Sequence, residues 1–323
     1  MFFTTLATLA LAASGTSALS NSVGNALGIK KDSMISYDRI YFGYAPNYNP
    51  RVTMASLNKA TGQKGATYNV YSQITSDNVN SGSYNGNYQY NVDDIVNSGA
   101  VLIASLMPTV QWTGITPNLC SSVNDYFTNT FTNKGVTVWL RFAHEMNYYA
   151  TDGTYPGGVN YGQFLKAWDC MYEATKNNNK ISMFWSPNYV SDASALKPWF
   201  PPANQVDIVG MDYYPSASSA SGLPSFDTAY GGFYNTFAKP YNLPFAIAET
   251  GTQNGGGSAS VAQKEAWLKT ILNRSAGYGA YPLYTSATWF EYGPDANSIN
   301  YYVVYGQSSS TVTQTISNTE EGS

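Results

Sequence analysis

Two carboxylates stand out by where the sequence puts them. Glu145 lies near the end of the stretch VTVWLRFAHEMN, residues 136–147, directly after His144, the chain's single histidine. Glu249 ends the apolar part of a second short run, PFAIAETGT at 244–252, two residues ahead of Gly251. Both runs are apolar and rich in aromatic or β-branched residues, as buried strands are. Each therefore ends in an ionisable group where a core should stop. For one run alone, a strand whose last residues reach solvent is a sufficient account. The repetition favours a site, because two carboxylates, each at the C-terminal end of its own strand, suit acid/base and nucleophilic chemistry at a glycosidic bond. Glu145 and Glu249 are expected to face one sugar.

Positioning that pair falls to a regular alternation of elements. Strand patterns occur at 38–45, 67–74, 100–107, 136–142, 181–186, 206–212, 245–249 and near 287–290, and helical patterns at 91–98, 116–133, 161–176, 226–238 and 260–274. Residues 76–90, rich in Asn, Gly, Ser and Tyr, read as an exposed loop. Eight strands alternating with helices or crossovers predict an α/β fold, a single (β/α)8 TIM barrel. A doubly wound sheet is disfavoured because no Gly-x-Gly-x-x-Gly follows the first strand. Glu145 then follows the fourth strand and Glu249 the seventh, across the mouth from each other. The catalytic domain is expected to span 37–323.

Composition narrows the partners. Only 11% of the 323 residues are charged and the net charge is −4, which argues against nucleic acid. Aromatics reach 15%, with 28 tyrosines, and such rings match the apolar faces of sugars. Residues 1–18 read as a secretory signal peptide with Thr16-Ser17-Ala18 at the cleavage site, its apolar run too short for a membrane span. Residues 19–36 read as a short pro-segment or flexible arm. The expectation is a secreted, soluble monomer with no membrane anchor. Cys120 and Cys170 are the only cysteines. In an oxidising compartment they either pair as a disulfide between the third and fourth barrel helices or stay as two buried thiols. With one histidine, and both cysteines far from it, no metal site and no cofactor are expected. Asn273-Arg274-Ser275 is a sequon, so Asn273 is a candidate glycan acceptor.

Taken together, the motifs resemble glycoside hydrolase family 26, known mostly as β-mannanases. Arg141-Phe142-Ala143-His144-Glu145-Met146-Asn147 is similar to that family's Arg-x-x-His-Glu-Met-Asn. Phe184-Trp185-Ser186-Pro187-Asn188 is similar to its Trp-Ser-Pro-Asn, and the stretch from Asp207 to Tyr214 to its Asp-x-Val-Gly-x-Asp-x-Tyr. Ala248-Glu249-Thr250-Gly251 and Trp289-Phe290 complete the order over most of the chain. The resemblance implies a barrel, retaining chemistry, Glu145 as acid/base, Glu249 as nucleophile and Tyr214 as a donor to Glu249. Two departures bear on the glycan: Tyr148-Tyr149-Ala150-Thr151-Asp152-Gly153 stands where family mannanases continue with Gly and a Trp-rich run, and no second histidine is present.

Roles can also be argued from the residues. Glu145 must hold a proton, which a partly apolar setting beside aromatics such as Trp185 favours, whereas Glu249 must stay ionised among donors. His144 is a donor to substrate or nucleophile, or a satisfied structural histidine. Arg141 is an electrostatic partner of Glu249 or a plain structural ion pair. Trp289 floors the reacting-sugar site or belongs to the core, and Tyr44, Trp112, Tyr149 and Trp185 are either outer sugar platforms or packing. The leading expectation is a retaining endo-β-glycosidase acting on an extracellular polysaccharide of β-mannan type or a related β-glycan. The alternatives are the same machinery on β-1,3- or mixed-linkage glucan, xylan or a microbial exopolysaccharide, and a catalytically silent carbohydrate-binding wall protein.

Overall fold

In the computed structural model, which describes residues 23–36, 39–273, 281–294, 298–306 and 320–321, the period-two alternation of the strand patterns becomes the inside and outside of one closed sheet. Its eight strands are β1 (Tyr41–Pro46), β2 (Thr67–Ile74), β3 (Val101–Pro108), β4 (Val138–Phe142), β5 (Ile181–Trp185), β6 (Ile208–Val209), β7 (Phe245–Thr250) and β8 (Tyr284–Glu291). Each is parallel to the next, and β8 closes on β1 with Ser286 opposite Tyr41 and Glu291 opposite Pro46. The chain is thus a (β/α)8 barrel, as the alternation predicts.

Side chains separate into two packed layers. Tyr41, Ile103, Trp139, Phe184, Ile208 and Ala246, from six different strands, fill the barrel interior. Phe42, Leu102, Leu140 and Ile247, their neighbours in sequence, pack with the helices outside, as does Ala287. Each fully buried Phe or Leu contributes about 1.5–3 kcal/mol, so a one-residue slip of any strand would be strongly opposed.

The base of the barrel is closed by a stretch that sequence reasoning left loose. Residues 23–36, read as a pro-segment or flexible arm, are packed: Ile29 and Ile35 join the interior layer, and the Trp139 indole N–H donates to the Leu27 carbonyl at 2.9 Å. Gly28 sits there with φ +85°, where a Cβ would lie 2.3 Å from the Thr137 hydroxyl oxygen, so only glycine fits. Met34–Ile35 also pairs with β1 and with residues 320–321.

Around the barrel, the helices Pro117–Thr130 and Tyr161–Thr175 are joined by the Cys120–Cys170 disulfide, with Cα atoms 6.1 Å apart. The helices are offset enough for a cysteine in the first turn of one to meet a cysteine past the middle of the other. Several elements differ from expectation. Met54–Thr61 is a helix, set by a Thr53/Ser56 capping box and stopped at Gly62 with φ 73°. Within 76–90, expected to be an exposed loop, Ser76–Ser81 is helical and Asn78, Tyr84 and Tyr90 are buried. The helix expected at 226–238 consists of π-helical turns, Asp227–Gly231 and Tyr234–Ala238. Asn273 is exposed at the end of the helix Val261–Leu272, while Arg274 and Ser275 lie outside the described residues, as does the stretch 1–18 read above as a signal peptide. Among the described residues no helix is long and apolar enough to cross a membrane.

Candidate active site

Two local irregularities aim the carboxylates. On β4, Trp139 and Arg141 point inward while Val138, Leu140 and Phe142 point outward. The chain then leaves the strand through Ala143 and Glu145, both left-handed at φ 51° and 50°, and the Glu145 N–H donates to the Ser186 carbonyl at 2.8 Å. Non-glycine residues in that region cost of order 1–3 kcal/mol each and persist only where the surroundings hold them. On β7 the pairing with β8 slips: Ala287 faces Ile247, but Trp289 faces Thr250. That extra residue turns Glu249 into the mouth, while the Thr250 hydroxyl faces outward and accepts from the Trp267 indole.

Toward the mouth the interior becomes polar and continuous. Asn69 donates to the Ala248 carbonyl at 3.1 Å and accepts from the Ser105 hydroxyl at 2.7 Å, and Ser105 accepts from Arg141 at 2.9 Å. Fully buried Arg141 then pairs through one guanidinium nitrogen with Glu249 Oε2 at 3.2 Å and through the other with Asp212. Asp212 also accepts from the Ser186 hydroxyl at 2.9 Å. Glu249 receives two phenols besides: Tyr71 donates to Oε2 at 2.5 Å and Tyr214 to Oε1 at 2.6 Å. One carboxylate oxygen from each of Glu145, Asp212 and Glu249 lies within 4.8 Å of the others. Such a trio has the oxygen ligands of a hard-cation site, yet Arg141 already supplies its counter-charge.

Electrostatics separates the carboxyls. Burial, and then the negative charge of Glu249, raise the Glu145 carboxyl to about 7, against the pull of Arg141 and of hydrogen bonds from Asn188 and Tyr149. Glu145 is therefore a proton holder near neutrality, as an acid catalyst must be. Burial, helped by Arg141, pushes His144 well below the usual imidazole value. It stands as a neutral ring between Tyr71 and Tyr149, each 5.6 Å away between centroids.

The structure thus gathers Glu145, Glu249, Arg141, His144, Tyr149 and Tyr214 at one mouth, and leaves four expected residues elsewhere. Trp185 is fully buried among Phe200, Phe233 and Phe237. Trp289 is likewise buried in the outer layer, its indole N–H donating to the Tyr301 carbonyl at 2.9 Å. Tyr44 packs edge-on against Phe42 in that layer. Trp112 is buried and ties its loop to the Gly158 carbonyl at 2.9 Å. All four are packing residues because alternation, or a loop's own core, turns them from the mouth. In their place stand residues to which sequence reasoning gave no role. Phe290 meets Tyr214 at 5.7 Å and stacks on Tyr292 at 4.1 Å, and Tyr71 reaches Glu249. The signal for Tyr71 was available: with Thr67 and Asn69 it forms the inward set of β2.

No protein-family model matches the chain, and no curated protein matches it in sequence. In structure it is similar to a Bacillus subtilis mannanase, with 18% identity, 90% of each chain covered and a TM-score of 0.55. It is also similar to a GH26 β-mannanase from Bacteroides ovatus, with 15% identity, coverage of 95% of this chain and 94% of that one, and a TM-score of 0.59. A modular endo-β-1,4-mannanase from Cellulomonas fimi aligns over 93% of this chain and 73% of its own, at 13% identity and a TM-score of 0.58. At such identities the likeness is one of fold.

Proposed function

We propose that this chain is a secreted glycoside hydrolase that cleaves a β-linked polysaccharide internally with retention of configuration. The observation that carries the reading is spacing: oxygens of Glu145 and Glu249 lie within 4.8 Å of each other. A covalent, retaining mechanism uses carboxyls about 5 Å apart, whereas an inverting one needs about 6.5–9.5 Å to seat a water between them. Glu249 attacks the anomeric carbon as Glu145 gives its proton to the departing glycosidic oxygen. Glu145, now ionised, takes a proton from water as that water attacks the same carbon and the bond to Glu249 breaks.

Arg141, Tyr71 and Tyr214 donate to Glu249 and orient it, and His144, neutral, lines the sugar site. The disulfide supports an oxidising destination. Beta-mannan heads the candidate substrates because the structurally similar proteins named above are mannanases. The Tyr148-Tyr149 run and the lone histidine keep β-1,3- and mixed-linkage glucan, xylan and exopolysaccharide on the test panel. A silent binding protein is disfavoured because it has no use for a buried carboxyl raised to about 7 beside a second one.

The test is digestion of these polymers with product sizing, and proton NMR of the first anomer released. The expected result is mid-chain cleavage of one β-glycan with the β-anomer appearing first. Initial release of the α-anomer would overturn the mechanism, and tight binding without cleavage of any polymer would favour the silent reading.

A further inference from the structure

The proposed chemistry gives Tyr71 no part of its own beside Arg141 and Tyr214. It stands at an inward position of β2, partly exposed in the mouth, and its phenol donates to Glu249 Oε2 at 2.5 Å. Arg141 meets the same oxygen at 3.2 Å, while among the described residues Tyr214 serves Oε1 at 2.6 Å. The ring is fixed from three sides. His144 lies 5.6 Å away, and Tyr292 and Phe290 meet it near perpendicular at 6.2 and 6.5 Å. Burial and the charge of Glu249 push its phenol well above the usual value, so it stays protonated and donates.

We propose, resting on the retaining reading above, that Tyr71 is a positioning residue whose hydrogen bond governs breakdown of the covalent intermediate rather than its formation. A donor to a carboxylate is strongest when that carboxylate is charged. In the first step Glu249 spends its charge on the bond to the anomeric carbon, so the Tyr71 bond weakens and opposes attack slightly. In the second step water adds to that carbon, Glu145 takes the water proton, and the electron pair of the breaking C–O bond returns to Glu249. The Tyr71 bond then strengthens as the charge reappears, making Glu249 a better leaving group. Without the phenol, Glu249 is a somewhat better nucleophile and a poorer leaving group.

The test is Tyr71→Phe in the full chain, assayed on 2,4-dinitrophenyl β-mannobioside, or on the cellobioside if the polymer panel selects a glucan. This leaving group needs little acid assistance, so breakdown limits turnover. The variant should lose about 10- to 100-fold in kcat, the range for a hydrogen bond to a charged group. KM should fall in parallel, kcat/KM should stay nearly unchanged, and intact-mass spectrometry should show the glycosyl-enzyme accumulating. A fall in kcat/KM at constant KM, or unchanged kinetics in a folded variant, would overturn the role. Treating the unmodified protein with a 2-deoxy-2-fluoro β-glycosyl fluoride separates the two levels. Failure to label Glu249 there removes the retaining reading and this role with it, whereas labelling together with an unaltered Tyr71→Phe removes only the role.

Discussion

Glu249 turns into the barrel mouth although Ile247, two residues before it on the same strand, packs outward against the helix layer. Strict alternation would send both the same way. The slip between Ala287–Ile247 and Trp289–Thr250 inserts one residue, and that bulge gives the carboxylate its address. Backbone pairing therefore holds the direction of this side chain, so replacing Glu249 should not disturb the strand.

Replacing it should end turnover. Glu249→Ala is expected to remove activity on every substrate while leaving the melting temperature close to the original. Glu145→Ala should retain more activity on dinitrophenyl glycosides than on polymer, and azide should restore its second step, because an external anion needs no general base. Equal loss on both substrates, with no azide rescue, would reassign Glu145.

The pH dependence follows from the same carboxyl. Glu145 titrates near 7, against a usual 4.5, so kcat/KM should fall above about pH 7 as the acid loses its proton. In Glu249→Gln the neighbouring negative charge is gone, and carbon-13 NMR should find Glu145 titrating lower. The sign for stability is fixed too. A carboxyl whose folded value is raised contributes stability that is fully present below about pH 4.5 and is lost as pH rises through 7. Melting curves of Glu145→Gln should accordingly be flatter than the parent's across that window, and parallel curves would contradict the burial argument.

Trp185 tests the division between platform and core. Packed among three phenylalanines with no exposure, it should cost about 3–5 kcal/mol when cut to alanine. Product sizes from polymer should not change. A shifted product pattern at unaltered stability would restore it to the sugar site.

For the disulfide, urea titration of Cys120→Ala/Cys170→Ala is the measurement. The bond closes a span of 50 residues, for which the chain-entropy account gives about 4 kcal/mol. The double variant should lose stability of that order and keep its activity at room temperature, since the bridge lies between helices on the outer ring.

Much of this was legible before the structure because strand periodicity and strand ends are local properties. Thr67–Ile74 reads as a strand in the sequence and is one, and Glu145, Arg141 and Tyr214 meet where the barrel brings their strand ends together. The aromatic residues were harder. Trp185 and Trp289 sit in motifs at strand ends, yet which way an end residue points depends on one step of alternation, and both fall on the outer side. Phe290, one step on, faces the mouth. Tyr71 was missed for the converse reason: it lies in a polar-looking strand, and only the closed barrel brings it to a carboxylate 178 positions away. The helix Met54–Thr61 escaped because it is short, with a capping box as its main mark.

The stopper at the base of the barrel has a practical side. A recombinant protein started at residue 37, the domain boundary that the sequence suggests, would lose Ile29 and Ile35 and bare the undersides of Trp139, Phe184 and Ile103 to water. A contiguous apolar patch of that kind promotes self-association. Such a truncation should come out of cells as inclusion bodies even though every residue of the mouth is intact, whereas a start at or before residue 23 keeps the barrel corked and soluble.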